Sequence, residues 1–187
     1  MTRHEERILV VCTANRCRSP LAAALLRRHL GTSPVVVTSA GLLPGGETVP
    51  EDGRRVASAA GLDLGEHRST QVTLEMLDAA DLVLTASREH SQEIVARAPH
   101  LWPRVFTLRQ AERWWSEHPR DPQESLRGWV EREAADRPRH EAIGASKVDD
   151  IVDPFGRSRR VWRQVLAITD AATASVARGI VGVDDRA

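Results

Sequence analysis

Cys12 ends an apolar run, Ile8-Leu9-Val10-Val11, and Arg18, Ser19 and Pro20 follow at the head of an apolar-rich helical pattern. A loop between a buried strand and a helix start points several backbone N–H groups at one spot, and the helix dipole adds positive potential there. Such a nest holds a tetrahedral oxyanion, and it favours the thiolate of a cysteine placed at its centre. Arg18 supplies a planar, two-pronged clamp for phosphoryl oxygens that lysine does not reproduce. Ser19 is placed to donate a hydrogen bond to the thiolate and to ease its departure. Thiolate, nest and guanidinium together describe nucleophilic attack on phosphorus. Without its flanking elements, the cysteine would read as a small packed hydrophobe.

The elements that must position these residues alternate along the chain. Residues 7–12 read as a buried strand, and residues 20–31 as a helix with Pro20 in its first turn and Gly31 as its stop. Further strands are expected at 34–41, 81–87 and 104–108. Helices are expected at 50–62, through Ile94, Val95 and Ala98, and through Val161, Val165, Ile168, Ala172 and Val176. Buried strands alternating with helices predict one doubly wound α/β domain, a four-stranded parallel sheet in flavodoxin-like order with helices on both faces. Ligands of such folds bind beyond the carboxyl ends of the strands, where Cys12 sits.

Residues 111–149 break the alternation and read as a helical insertion. Asp121 as cap, Pro122 at the first helical position and Glu124 as capping-box partner predict a helix there, with Leu126, Trp129, Val130 and Ala134 on one face. Its charge- and proline-rich flanks read as mobile. Trp114, Trp115 and Trp129 are expected to form a satellite core or, alternatively, a partner surface. Placed just upstream of Asp153, the helix is positioned in sequence to cover a substrate slot and act in substrate or partner selection or, alternatively, to dock elsewhere and leave the slot open.

Composition narrows the function classes. The 187 residues carry 26 basic and 26 acidic side chains, so no global field argues for nucleic acid or an anionic membrane. No apolar run approaches a membrane span, the charged N-terminus does not read as a signal peptide, and two cysteines make no disulfide framework. A reducing cytoplasm is the expected location. No histidine spacing suggests a metal site, and no cofactor is expected.

The stretch "VCTANRCRSP" resembles the signature loop of the low-molecular-weight protein-tyrosine phosphatase family. "DIVDPFG" resembles that family's Asp-Pro-aromatic loop, and "TSAG", "HRSTQVT" and "DLVLTAS" resemble family segments in the right order. The resemblance implies that Cys12 is the nucleophile, Arg18 the phosphate clamp and Asp153 the general acid and then base. It makes Thr13, Ala14, Asn15, Arg16, Cys17 and Ser19 the phosphate-binding loop. Asn15 would hold a strained conformation, braced by Ser39 and His67, and Phe155 would wall the slot. The substrate implied is a phosphorylated protein or peptide.

The chain departs from the family pattern in three places. Ala14 stands where glycine is commonest, which calls for negative φ. Arg16 replaces an apolar residue or threonine, and Phe155-Gly156 replaces two adjacent aromatics. The chain has no tyrosine, so regulation by tyrosine phosphorylation at that site is impossible. The expected substrate is phosphotyrosine or a similar aryl phosphate. The alternatives are phosphoarginine, which a cationic Arg16 would repel, and arsenate reduction on the same fold. Thiol-relay reductases need cysteines downstream, and none follows Cys17. A phospho-residue binding module would be expected to lack Cys12 or Asp153. Cys17 reads equally as a redox partner for Cys12 or as a packed residue.

Overall fold

The computed structural model describes residues 5–115, 118, 120–135, 137–138 and 147–181. Strands β1 (Arg7–Cys12), β2 (Val36–Gly41), β3 (Leu82–Thr85) and β4 (Val105–Thr107) form one parallel sheet in the order β2-β1-β3-β4. Side chains alternate across β1. Ile8 and Val10 face one core with α1 (Arg18–Leu30), α2 (Glu51–Ala59) and the C-terminal helix. Leu9 and Val11 face another with α3 (Leu74–Ala79) and α4 (Arg88–Arg97). This is the doubly wound α/β architecture expected from the alternation, with β1 as expected and the other three strands shorter by two or three residues.

The alternation runs further than the sequence reading allowed. Helix α5 (Leu108–Trp115) follows β4 directly, with Thr107 Oγ1 accepting from Gln110 N at 3.0 Å. It packs against the long last helix, α7 (Arg159–Val181), with α6 (Leu126–Ala135) between them in the chain. The approach is close at Gly179, where an added Cβ would lie 2.9 Å from Trp115 Cβ.

Helix α6 (Leu126–Ala135) begins four residues later than the Asp121-Pro122 signal predicts. Glu124 does not return to a cap, because its carboxylate accepts from Arg132 at 3.0 and 3.2 Å. Asp121 closes a turn instead, accepting from Gln123 N at 2.8 Å, and Ser125 Oγ takes the capping role toward Gly128 N. The charge- and proline-rich flanks at 116–117, 119, 136 and 139–146 lie outside the described residues.

Two further expectations for this helix are corrected. Leu126, Trp129 and Val130 are fully buried, and they join Trp115 in the main core rather than in a satellite. Phe106, Trp115 and Trp129 pack in series as tilted rings, at centroid separations of 5.2 and 4.6 Å, and Trp114 packs partly buried against Phe106. These indoles are therefore not an exposed partner surface. Nor does α6 cover the substrate slot. Arg120 pairs with Glu6 at 2.7 Å, Leu126 N donates to Glu6, and Arg127 Nε donates to Asp81 at 2.9 Å. Both acids precede their strands, so α6 sits at the amino end of the sheet, opposite Cys12. Trp129→Ala is accordingly expected to cost about 3–5 kcal/mol in urea unfolding, while the KM of the folded fraction for a small aryl phosphate stays unchanged.

Candidate active site

Cys12 leaves β1 into a tight turn that ends at the start of α1. Asn15 adopts φ 51°, the left-handed region, while Ala14 keeps a negative φ. Asparagine meets that conformation with three side-chain contacts. Its Nδ2 donates to Ser19 Oγ and to Ser39 Oγ, both at 2.9 Å, and its Oδ1 accepts from Thr70 N at 2.9 Å. His67 Nε2 donates to the Asn15 carbonyl at 2.8 Å. The loop also lies against the end of β2, where Leu42 N and Leu43 N donate to the carbonyls of Cys12 and Thr13. Only glycine fits at position 41, because a Cβ there would come within 2.6 Å of Asn15 N.

Cys12 Sγ lies 3.1 Å from Ser19 Oγ. Arg18, buried in the first turn of α1, reaches back over the loop. Its Nη2 donates to Thr13 Oγ1 at 3.0 Å and to Asp153 Oδ2 at 2.7 Å, and its Nη1 donates to the Ile151 carbonyl at 3.2 Å. Arg18 Nε is buried and has no hydrogen-bond partner among the described residues. Cys17 is buried in the core, and burial, with Asp153 second, pushes its thiol up to about 12. That thiol stays protonated, as suits a packed residue. Both cysteines are free.

The loop forms the floor of a cavity of about 290 Å³, lined by Cys12, Ala14, Arg16 and Arg18, with Leu43, Asp153 and Phe155 at its rim. Leu43 and Phe155 are half exposed and present apolar walls. The Arg16 guanidinium lies 5.0 Å from the centroid of the Phe155 ring. Arg16 Nε donates to the Thr48 carbonyl at 3.1 Å, and Glu47 lies 3.6 Å from its Nη2. Of the site residues read from the sequence, Cys12, Thr13, Ala14, Arg16, Cys17, Arg18, Asp153 and Phe155 line this pocket, while Asn15, Ser19, Ser39 and His67 brace the loop by hydrogen bonds. Among the described residues, no cluster of His, Cys, Asp or Glu is arranged to hold a metal ion.

Other residues at this site carried no sequence signal. Asp149 is fully buried and pairs with Arg88 at 2.7 Å and with Arg113. Asp150 accepts from Arg88 N, at the start of α4 where a carboxylate suits the helix dipole. Ile151 N donates to the Ala86 carbonyl, extending the line of β3. These contacts fix the segment that delivers Asp153. His90, from α4, is 4% exposed and hydrogen-bonded to Thr13. Burial and the Arg18 cation hold its imidazole neutral, with its pKa lowered to about 4. Neither residue is legible locally, because the Asp149 partners Arg88 and Arg113 and the His90 partner Thr13 lie on other elements.

Comparison with known proteins agrees with this geometry. The family model described as low molecular weight phosphotyrosine protein phosphatase matches residues 7–124, a stretch that ends before Asp153. A probable low molecular weight protein-tyrosine-phosphatase, EpsP of Ralstonia solanacearum, is 39% identical over 107 residues, covering 57% of this chain and 73% of the relative. A protein-arginine-phosphatase of Geobacillus stearothermophilus is 40% identical over 105 residues, covering 56% and 70%. Among solved structures, the tyrosine phosphatase Wzb from Escherichia coli K30, in complex with sulphate, superposes with a TM-score of 0.67 at 28% identity, covering 92% of this chain and 96% of that one. With more than two thirds of these two relatives covered and a family model spanning most of its own length, the chain belongs to the low-molecular-weight protein-tyrosine phosphatase family.

Proposed function

We propose that this phosphatase hydrolyses phosphotyrosine-type monoesters of proteins or peptides through a phosphocysteine intermediate. The observation that carries this reading is the convergence of Cys12, Arg18 and Asp153 on one cavity with apolar walls. The Cys12 thiolate attacks phosphorus, and the loop N–H groups and Arg18 take up the charge on the phosphoryl oxygens. The buried, unpartnered Arg18 Nε supports this role, since such a donor is costly unless a ligand satisfies it. Incoming phosphoryl oxygens displace the Asp153 carboxylate from Arg18 Nη2. Asp153, exposed enough to take a proton from solvent, donates it to the leaving oxygen as the P–O bond breaks, and afterwards it takes a proton from the water that attacks the phosphocysteine. Ser19 eases departure of the Cys12 thiolate by donating to it.

Leu43 and Phe155 fit the two faces of an aryl ring, and Arg16 lies where it would oppose a substrate guanidinium. One relative is a protein-arginine-phosphatase, so the discriminating experiment measures turnover of a phosphotyrosine peptide, phosphoarginine and arsenate side by side. Phosphotyrosine turnover is expected to dominate, with no arsenate reduction above buffer. Arg16→Thr is expected to raise the phosphoarginine-to-phosphotyrosine ratio of kcat/KM by about tenfold, the effect of removing one partly solvated like charge. A wild-type preference for phosphoarginine would overturn the substrate assignment. The cysteine usage supports a cytoplasmic location, and among the described residues no helix is long and apolar enough to cross a membrane.

A further inference from the structure

Thr13 has one hydroxyl proton, and its oxygen has two polar neighbours. Arg18 Nη2 is a donor only, so at 3.0 Å the Thr13 oxygen must accept from it. The Thr13 proton is then free for the second neighbour, His90 Nε2, at 2.9 Å. With the Thr13 proton placed there, Nε2 carries the lone pair and the imidazole proton sits on Nδ1. Ser87 Oγ lies 2.8 Å from Nδ1 and accepts it. Ser87 stands at the start of α4, where a serine hydroxyl ordinarily accepts from the helix backbone, yet it makes no such contact. It is turned to the imidazole instead. A single direction of donation runs from Arg18 through Thr13 and His90 to Ser87.

We infer that His90 is a positioning residue for Arg18, acting through Thr13 as the neutral Nδ1–H tautomer. The inference rests on the reading of Arg18 as the phosphate clamp. Asp153 also holds Nη2, but the substrate displaces it; Thr13 remains. Nη1 keeps the Ile151 carbonyl, but on the Nη2 side the guanidinium is left with a rotatable hydroxyl, and an acceptor beyond that hydroxyl fixes its direction. A protonated His90 would donate to Thr13 from Nε2 and place a second cation beside Arg18, undoing the arrangement.

The test compares His90→Leu, His90→Gln and Thr13→Val, with the double variant Thr13→Val/His90→Leu. The readouts are kcat/KM for p-nitrophenyl phosphate, competitive inhibition by inorganic phosphate, and folding by circular dichroism. Thr13→Val and His90→Leu are each expected to lower kcat/KM by about tenfold or more, the scale of one hydrogen bond to a charged group. The double variant should be no worse than either single one, because both break one chain. His90→Gln keeps an acceptor for the Thr13 hydroxyl and should recover most of the loss. In an Arg18→Lys background, His90→Leu should cost less than threefold, since a point charge has no plane to align. Losses that multiply in the double variant, or a glutamine no better than leucine, would overturn the inference. If His90→Leu fails to fold, near-wild-type kcat/KM in Thr13→Val overturns it alone. Failure of the clamp reading would appear separately, as near-wild-type turnover in Arg18→Lys itself.

Discussion

Cys12→Ser is expected to reduce hydrolysis of an aryl phosphate to background while leaving phosphate affinity within a few fold of wild type. The two parts separate because the nucleophile is one sulfur, whereas the anion site consists of loop N–H groups and Arg18. Serine keeps the shape of the loop and its contact toward Ser19 but does not supply a thiolate. Arg18→Lys is expected to lose about 100- to 1,000-fold in kcat, the scale of removing an oriented donor from a developing charge. Lysine retains the charge but not the fork that reaches Thr13, Ile151 and Asp153 together. Single-turnover kinetics and phosphate titration on the same preparations check both variants. Near-wild-type turnover in either one would remove the phosphocysteine mechanism.

Asp153→Asn should slow turnover by a factor of about 100 to 10,000, the usual range for a positioned general acid. The loss should be steepest for poor leaving groups and small for nitrophenolate, which needs little proton assistance. The structure adds a second expectation with the opposite sign. Asp153 occupies Arg18 Nη2 at 2.7 Å and so competes with the phosphoryl group for it. Replacing the carboxylate by an amide removes that competitor, and inorganic phosphate should then inhibit more tightly by several fold. A loss of turnover equal across leaving groups would make Asp153 a structural partner of Arg18, with another residue delivering the proton.

The parts of this site legible in the sequence are the local ones. Cys12, Arg18 and Ser19 lie within one strand-loop-helix unit, so residue type and spacing alone place them around an anion. Asn15, Ser39, His67, Asp153 and Phe155 emerged only through resemblance to a family, since each acts across a distance that periodicity does not encode. His90, Asp149, Arg88 and Arg113 were not legible at all. Their pairings join residues 36 to 77 positions apart, and a buried acid between two arginines looks in sequence like any surface charge. The start of α6 failed for a different reason. Asp121-Pro122 and Glu124 satisfy every local rule for a helix start, but Arg132 takes the Glu124 carboxylate and Ser125 supplies a better-placed cap. The tryptophans show the limit of composition, which counts large apolar side chains without saying which way a helix faces.

The long last helix has a consequence for how the molecule comes into being. Helix α7 covers α1, α2 and α5, and its Trp162, Val165, Ala172 and Val176 close the same core as Leu21, Leu25 and Leu26 of α1. Synthesis runs from the amino end, so the strand and loop that carry the catalytic thiol leave the ribosome well before this helix. The surface that α1 must bury is made more than a hundred residues later, after the acid segment has also been translated. Until then, the nascent chain presents a leucine-rich helix face to solvent, and Cys12 has neither Asp153 opposite it nor a closed core beneath it. Catalytic competence therefore waits for the last helix rather than accumulating as the sheet grows.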